Sequence, residues 1–293
     1  MTDFLGNDYL MERRLKDLDP DLHKRFSDMV FACQNLLSNY KLIFPDYTDH
    51  SEFHAMNVIN FCNKLIGTKD IEKLCPDEMY ILLNSCYLHD VGMGTTPKLY
   101  EEFKEKVDVR SYTDSKPDAG IADIIRNFHH EFSGLFIEKY ADLFEFPSKE
   151  YTYAIKQIAR GHRKTNLYDE QKYPSAYKLP NGNTVCLPYL AALIRLADEI
   201  DVVAERNPKL LYDLELPTDA LQIQENKKLA AVKELDFEQD SFVLVAEESD
   251  LETKEGLIKM VDKMQLTLDL CRDVIEKRTP FSLGQKKVLI HFL

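Results

Sequence analysis

The side chains best placed to do chemistry are an adjacent imidazole and carboxylate, His89-Asp90, at the end of the apolar run ILLNSCYLHD and just before the helix-breaking VGMG. Around them in sequence stand His50 and His54 upstream, His129, His130 and His162 downstream, and Asp198 inside LAALIRLADEID. Six of the eight histidines fall between residues 50 and 162, each in or beside an apolar helical pattern. Imidazole nitrogens together with carboxylate oxygens suit Zn, Fe, Mn or Ni, so the pattern points to a metal site. His50 and His54 are four residues apart; on a helix they would share one face, with Cβ atoms ~5–6 Å apart. Consecutive helical positions diverge by about 100°, so His89 and Asp90 reach one ion only at a helix terminus or with the metal between them. The Val-Gly-Met-Gly that follows supplies such a terminus. A carboxylate as deep in an apolar stretch as Asp198 needs a partner, and a cation is one.

The elements that must position these groups are mostly helices. Asp19 as N-cap and Pro20 in the first turn open a helix over 20–40, with Leu22, Phe26, Met29, Val30, Cys33, Leu36, Leu37 and Tyr40 on one stripe. Pro45 and Asp46 open a loop, and a helix from Asp49 or Ser51 runs to about Leu65. Further helices are expected near 77–90, 121–145, 148–163 and 188–205. The polar stretch 92–120 reads as a lid or as a surface excursion with one short helix. The turn Pro180 to Asn183 closes a small hairpin. Beyond Pro208, LAAVKELDF and SFVLVAEE read as strands, Ser249 to Glu252 as a capping box, 251–279 as a long helix and VLIHFL as a strand inside a sheet. The expected architecture is mainly α: a helical domain over 1–215 and a small α+β C-terminal unit over 216–293.

Bulk properties narrow the function. The 293 residues carry a net charge of −13 and are 44% hydrophobic. That charge does not favour long nucleic acids, whose binding needs basic surface. The segment from Glu234 to Glu252, with eight acids and no Lys or Arg, would repel a phosphate backbone. A small anion remains compatible, because a metal and a few local cations can dominate a pocket's field. The N-terminus MTDFLGNDYLMERR has no signal-peptide pattern, no run of about 18 apolar residues spans a membrane, and six scattered cysteines without C-x-x-C read as reduced thiols of a cytoplasmic protein. The length of the 251–279 helix also suits a homo-oligomer contact.

Leu88-His89-Asp90-Val91-Gly92, with His54 and Val58 upstream and Ala197-Asp198 downstream, resembles the HD-domain superfamily of metal-dependent phosphohydrolases. The stretch YTDHSEFHAMNV is also similar to the segment of cyclic nucleotide phosphodiesterases that holds a catalytic His four residues before a metal-binding His. The resemblance covers residues 45–205 and leaves the C-terminal unit unexplained. It implies an all-α bundle with His54, His89, Asp90 and Asp198 as ligands of a first metal, and His50 as the general acid that protonates the leaving oxygen. Arg126-Asn127-Phe128-His129-His130-Glu131-Phe132-Ser133 resembles the motif that supplies a second-metal ligand; the adjacent pair leaves the register open, with His129 favoured and His130 as the alternate. His162 matches the place of another such ligand, and Asp90 would then bridge two ions.

The resemblance thus implies one or two divalent ions (Mn, Mg, Fe, Ni or Zn) and hydrolysis of a small nucleotide or phosphate ester by a metal-bound hydroxide. Arg160, Arg163 and Lys164 beside His162 are candidates to hold phosphate oxygens, with Arg126 and Arg206 behind them. Met93 stands where many nucleotide triphosphohydrolases of the superfamily have a His, and the Glu-Asp motif of ppGpp hydrolases is missing after Asp90; both activities are disfavoured. Two other readings fit the same residues: a regulatory module that binds a nucleotide without turnover, and a di-iron oxygenase on the same ligand set.

Overall fold

A computed structural model describes residues 10–37, 40–41, 43–44, 50–202, 220–248 and 250–293. In chain order the helices are α1 (Leu10–Leu18), α2 (Pro20–Leu37), α3 (Glu52–Asp70), α4 (Pro76–Leu88), α5 (Pro97–Phe103), α6 (Arg110–Ser115), α7 (Ile121–Lys139), α8 (Lys149–Gly161) and α9 (Leu187–Ile200). A short hairpin of β1 (Tyr177–Lys178) and β2 (Thr184–Val185) precedes α9, on the turn expected at 180–183. The C-terminal part holds α10 (Ala220–Ala231), β3 (Val232–Phe237), β4 (Ser241–Ala246), α11 (Leu251–Arg278) and β5 (Lys287–Phe292). The architecture is mainly α, a helical bundle carrying a small C-terminal α+β unit. Among the described residues no helix is long and apolar enough to cross a membrane.

The bundle is built around α4, whose residues are buried on every side, acids included. Its start is fixed by Glu78, which accepts from the N–H groups of Cys75 and Cys186 and so ties the first turn of α4 to that of α9. Asp77 accepts from Asn181 and Asn183 and from the Tyr151 hydroxyl, pinning the hairpin turn and α8 to the same end. Each buried carboxylate thus finds the donors its burial demands. The other end of α4 is where His89 and Asp90 emerge.

Several boundaries differ from the sequence expectation. α3 begins after Ser51, whose hydroxyl accepts from Phe53 N–H at 3.3 Å, and its regular path breaks at Gly67. His50 therefore precedes the helix instead of sharing its face with His54. Leu229 to Ala231 end α10 instead of opening a strand; short apolar runs do not distinguish the two by periodicity. Residues 92–120 hold two short helices, α5 and α6. The last strand, expected inside a sheet, is an edge: the order is β3-β4-β5, with β5 parallel to β4. The N-cap of α11 is Asp250, which accepts from Thr253 N–H at 2.8 Å. Pro45, Asp46, Asp49, Ser249 and Arg206 lie outside the described residues.

The C-terminal unit shares one buried apolar cluster with the bundle. Leu257, Val261, Met264, Leu268, Cys271 and Ile275 of α11 are buried on one stripe. The Arg278 guanidinium donates to Leu167 O and, at 2.7 Å, to Tyr173 O; the rings of Tyr189 and Phe281 stack at 3.9 Å. These contacts fix α11 against α9, the helix that carries Asp198.

Candidate metal centre

His89 is the C-cap of α4, and Asp90 follows at φ −103° and ψ 5°, outside helical geometry, before the tight turn Val91–Gly94. The helix end is thus what lets consecutive residues aim at one place. Gly92 then brings α7 close: its N–H donates to Ser133 Oγ at 2.8 Å, and a Cβ there would lie 2.5 Å from Ser133 N, inside the helix backbone. That approach lays His129 beside Asp90. His162 comes in as the C-cap of α8, His54 from the first turn of α3, and Asp198 from the last turn of α9.

The side chains meet in two adjoining groups that share Asp90. In the first, His54 Nε2 lies 3.1 Å from His89 Nε2, 3.3 Å from Asp198 Oδ1 and 3.4 Å from Asp90 Oδ2. In the second, His129 Nε2 lies 3.0 Å from His162 Nε2 and 3.3 Å from the other Asp90 oxygen, Oδ1. His50 Nδ1 approaches Asp90 Oδ2 at 2.7 Å from the rim.

Tautomers show why these donors would suit a cation. His89 Nδ1 donates to Cys86 O at 2.7 Å, His129 Nδ1 to Arg126 O at 2.8 Å and His162 Nδ1 to Ala159 O at 2.6 Å. His54 Nδ1 donates to Asp201 Oδ2 at 2.6 Å. Carbonyls and carboxylates only accept, so in each neutral ring the proton sits on Nδ1 and Nε2 keeps its lone pair. Lone pairs 3.0–3.1 Å apart repel unless something positive lies between them. Donors ~2.1 Å from one ion stand ~3.0 Å apart at right angles and ~3.4 Å apart in a tetrahedron, the spacing seen in both groups. A ring oriented through its other nitrogen is also the usual support of a metal-ligating His. The clustered His and Asp side chains could therefore hold a divalent metal.

The electrostatics agree. Burial would raise the carboxyls of Asp90 and Asp198, but the surrounding imidazoles outweigh it and hold both well below the usual carboxylate range. Burial pushes His129 down to about 3, and pushes His162 well below the imidazole range with help from the charge of His89. For His89 burial acts downward but is overcome by Asp90 and Asp198, and the ring is driven well above its ordinary value. Two ionised carboxylates, Asp90 buried and Asp198 half-buried, thus draw a positive charge into the centre, and without a metal a proton on His89 plays that part.

Other expected site residues fall differently. His130 joins neither group; it is buried with Nδ1 unpartnered, and its Nε2 lies 3.7 Å from Glu131 Oε1. Arg163, Lys164 and Arg126 line a cleft of about 930 Å³ that opens from the metal centre, together with His50, Met93 and Asp198. Arg160 does not line it: Glu131 Oε1 at 2.6 Å and Gln157 Oε1 at 2.9 Å hold its guanidinium. Two residues of the site were not singled out from the sequence. Asp201, almost fully buried, orients His54 and also accepts from Asn57 at 3.3 Å. Arg195, one helical turn before Asp198 on α9, donates to Gly161 O at 2.7 Å, Arg163 O at 2.6 Å and Thr165 O at 2.8 Å, and so fixes the loop that carries His162 and Arg163. Their spacing of three on either side of Asp198 is the one clue the sequence offers.

A helical bundle with imidazoles and carboxylates converging at the end of a buried helix defines an HD-type protein. The HD-CE family model matches residues 44–280, and the chain belongs to that family. The match extends past the stretch that carried the resemblance and takes in α10, β3, β4 and α11. No curated protein and no solved structure matches this chain.

Proposed function

We propose that this protein is a metal-dependent phosphohydrolase that cleaves a small nucleotide or phosphate ester. The observation that carries the reading is the orientation of Asp90: one oxygen faces the His54–His89 pair and the other faces the His129–His162 pair. His54, His89, Asp198 and Asp90 would hold a first divalent ion, and Asp90, His129 and His162 a second. Bound ions, one or two of Mn, Mg, Fe, Ni or Zn, would lower the pKa of water at the site and offset charge developing on the phosphoryl oxygens.

The chain's own residues do the rest. Arg163 makes no ion pair among the described residues and lines the cleft beside Lys164, whose ammonium is pushed down by burial and then by Arg163. Two neighbouring cations of this kind favour an anion between them, and they are placed to hold phosphate oxygens. His50, at the cleft rim, donates through Nδ1 to Asp90 and stays within reach of a leaving oxygen, to which it would pass a proton. Arg160, captured by Glu131, steadies α7 against α8.

The test is a hydrolysis screen of nucleotides and model phosphodiesters with protein loaded in turn with each of the five metals, repeated on His89→Ala and Asp90→Ala. Metal-dependent release lost in both variants is expected. A broad panel left untouched by the metal-loaded protein would overturn the reading, and oxygen uptake by the iron form without phosphate release would favour a di-iron oxygenase instead.

A further inference from the structure

The cleft does not end at the metal centre: its opposite wall is the α10–α11 face of the C-terminal unit. At about 930 Å³ it lies near the top of the ~300–1,000 Å³ range of small-molecule sites, so a phosphoryl group held at the metal centre would leave most of it empty. The two walls differ in chemistry. The near wall has Arg163 and Lys164 close to the metal centre. On the far wall two of the three lysines are already matched, Lys228 Nζ to Glu225 Oε1 at 2.6 Å and Lys263 Nζ to Glu199 Oε1 at 2.9 Å, and the third, Lys259, shares the lining with Glu252 and Glu255. Further along α11, Leu266 and Leu270 line the same cleft and are 71% and 37% exposed, so apolar surface faces the cleft instead of the core.

This wall is also held in place. The Lys263–Glu199 pair ties α11 to the residue next to Asp198. A Cβ at Gly256 would lie 2.5 Å from Lys228 Cδ, so the glycine lets the lysine stem lie flat across α11 with its ammonium at the cleft. We infer that the α10–α11 wall is a distal subsite that binds the organic group of the ester, and that it takes an uncharged, ring-bearing group of the nucleoside class, not a second anion. Matched Lys–Glu pairs offer donors and acceptors to hydroxyls and ring amides without a net positive field, while the leucines offer a surface for a flat ring. The inference rests on the phosphohydrolase reading above.

Two chromogenic diesters with the same leaving group test it: methyl p-nitrophenyl phosphate and thymidine 5′-(p-nitrophenyl phosphate), assayed with metal-loaded full-length protein. The expected result is a higher kcat/KM for the thymidine ester, by about tenfold or more, carried mainly by KM. Leu266→Asp, on an exposed position, and Gly256→Ala, which displaces the Lys228 stem, each reduce that preference several-fold. Equal kcat/KM for the two esters, or variants that depress both esters alike, would overturn the distal subsite while leaving the hydrolase reading intact. No cleavage of either ester by a wild-type protein that is active on the broad panel would also overturn the distal subsite, and no cleavage of the esters or of the panel would overturn both readings.

Discussion

The two halves of the metal centre use the same side chains but stand in different surroundings. The first group is the more anionic: Asp198 and Asp90 face its imidazoles, and Asp201 holds His54 from the rear, while Cys86 O orients His89. Behind the second lie only carbonyls: Arg126 O orients His129, Ala159 O orients His162, and Asp90 Oδ1 is its one anionic donor. An electron-rich, doubly anionic pocket holds a divalent ion more firmly than one whose rings are oriented by neutral oxygens. The first group would therefore keep its ion under conditions that strip the second, and Asp90 is the point at which both fail together.

That contrast can be broken in order of expected effect. Asp90→Ala removes the shared carboxylate; metal content drops at both groups and hydrolysis falls by ~10⁴-fold or more, as elemental analysis and a phosphate-release assay would record. Asp201→Asn keeps the shape behind His54 but removes the charge. It weakens the first ion by ~10–100-fold in a competition titration while leaving the second unchanged. Equal weakening of both would erase the distinction between carboxylate and carbonyl support.

A smaller effect concerns pH. Burial pushes His130 down to about 4 from an ordinary 6.5, and His130 lies outside both groups. The unfolded chain takes up a proton on this ring below pH ~6.5, whereas the folded chain resists until about 4. Its contribution to stability is thus fully present above pH ~6.5 and is lost as pH falls toward about 4. His130→Gln should flatten that part of the acid limb in denaturation midpoints compared at pH 7 and pH 4.5, and an unchanged slope would show that the ring is not held neutral.

How much of this was legible in the sequence follows from where the constraints come from. His89-Asp90 and Asp198 stood out because ionisable groups inside apolar helices need partners, and the break at Val91–Gly94 showed where a helix could aim two neighbours together. The choice between His129 and His130 was not legible: adjacent helical positions differ by about 100°, and the docking of Gly92 on Ser133 decides which ring turns inward. Arg160 read as a phosphate clamp because its captor, Glu131, is 29 residues away in sequence. Asp201 was not singled out, since nothing local in the sequence reports the ring from α3 that covers it. The last strand is an edge although it is apolar: it pairs with β4 alone, and of its residues only Val288 is buried, which composition alone does not reveal.

Metal stoichiometry tests the central claim most directly. Elemental analysis after saturation and desalting should give two divalent ions per chain for the wild-type protein and one for His129→Ala, the remaining ion held by His54, His89, Asp90 and Asp198. A wild-type protein that retains no divalent ion, or a His129→Ala variant that still retains two, would contradict the account of Asp90 as a bridge between two cations.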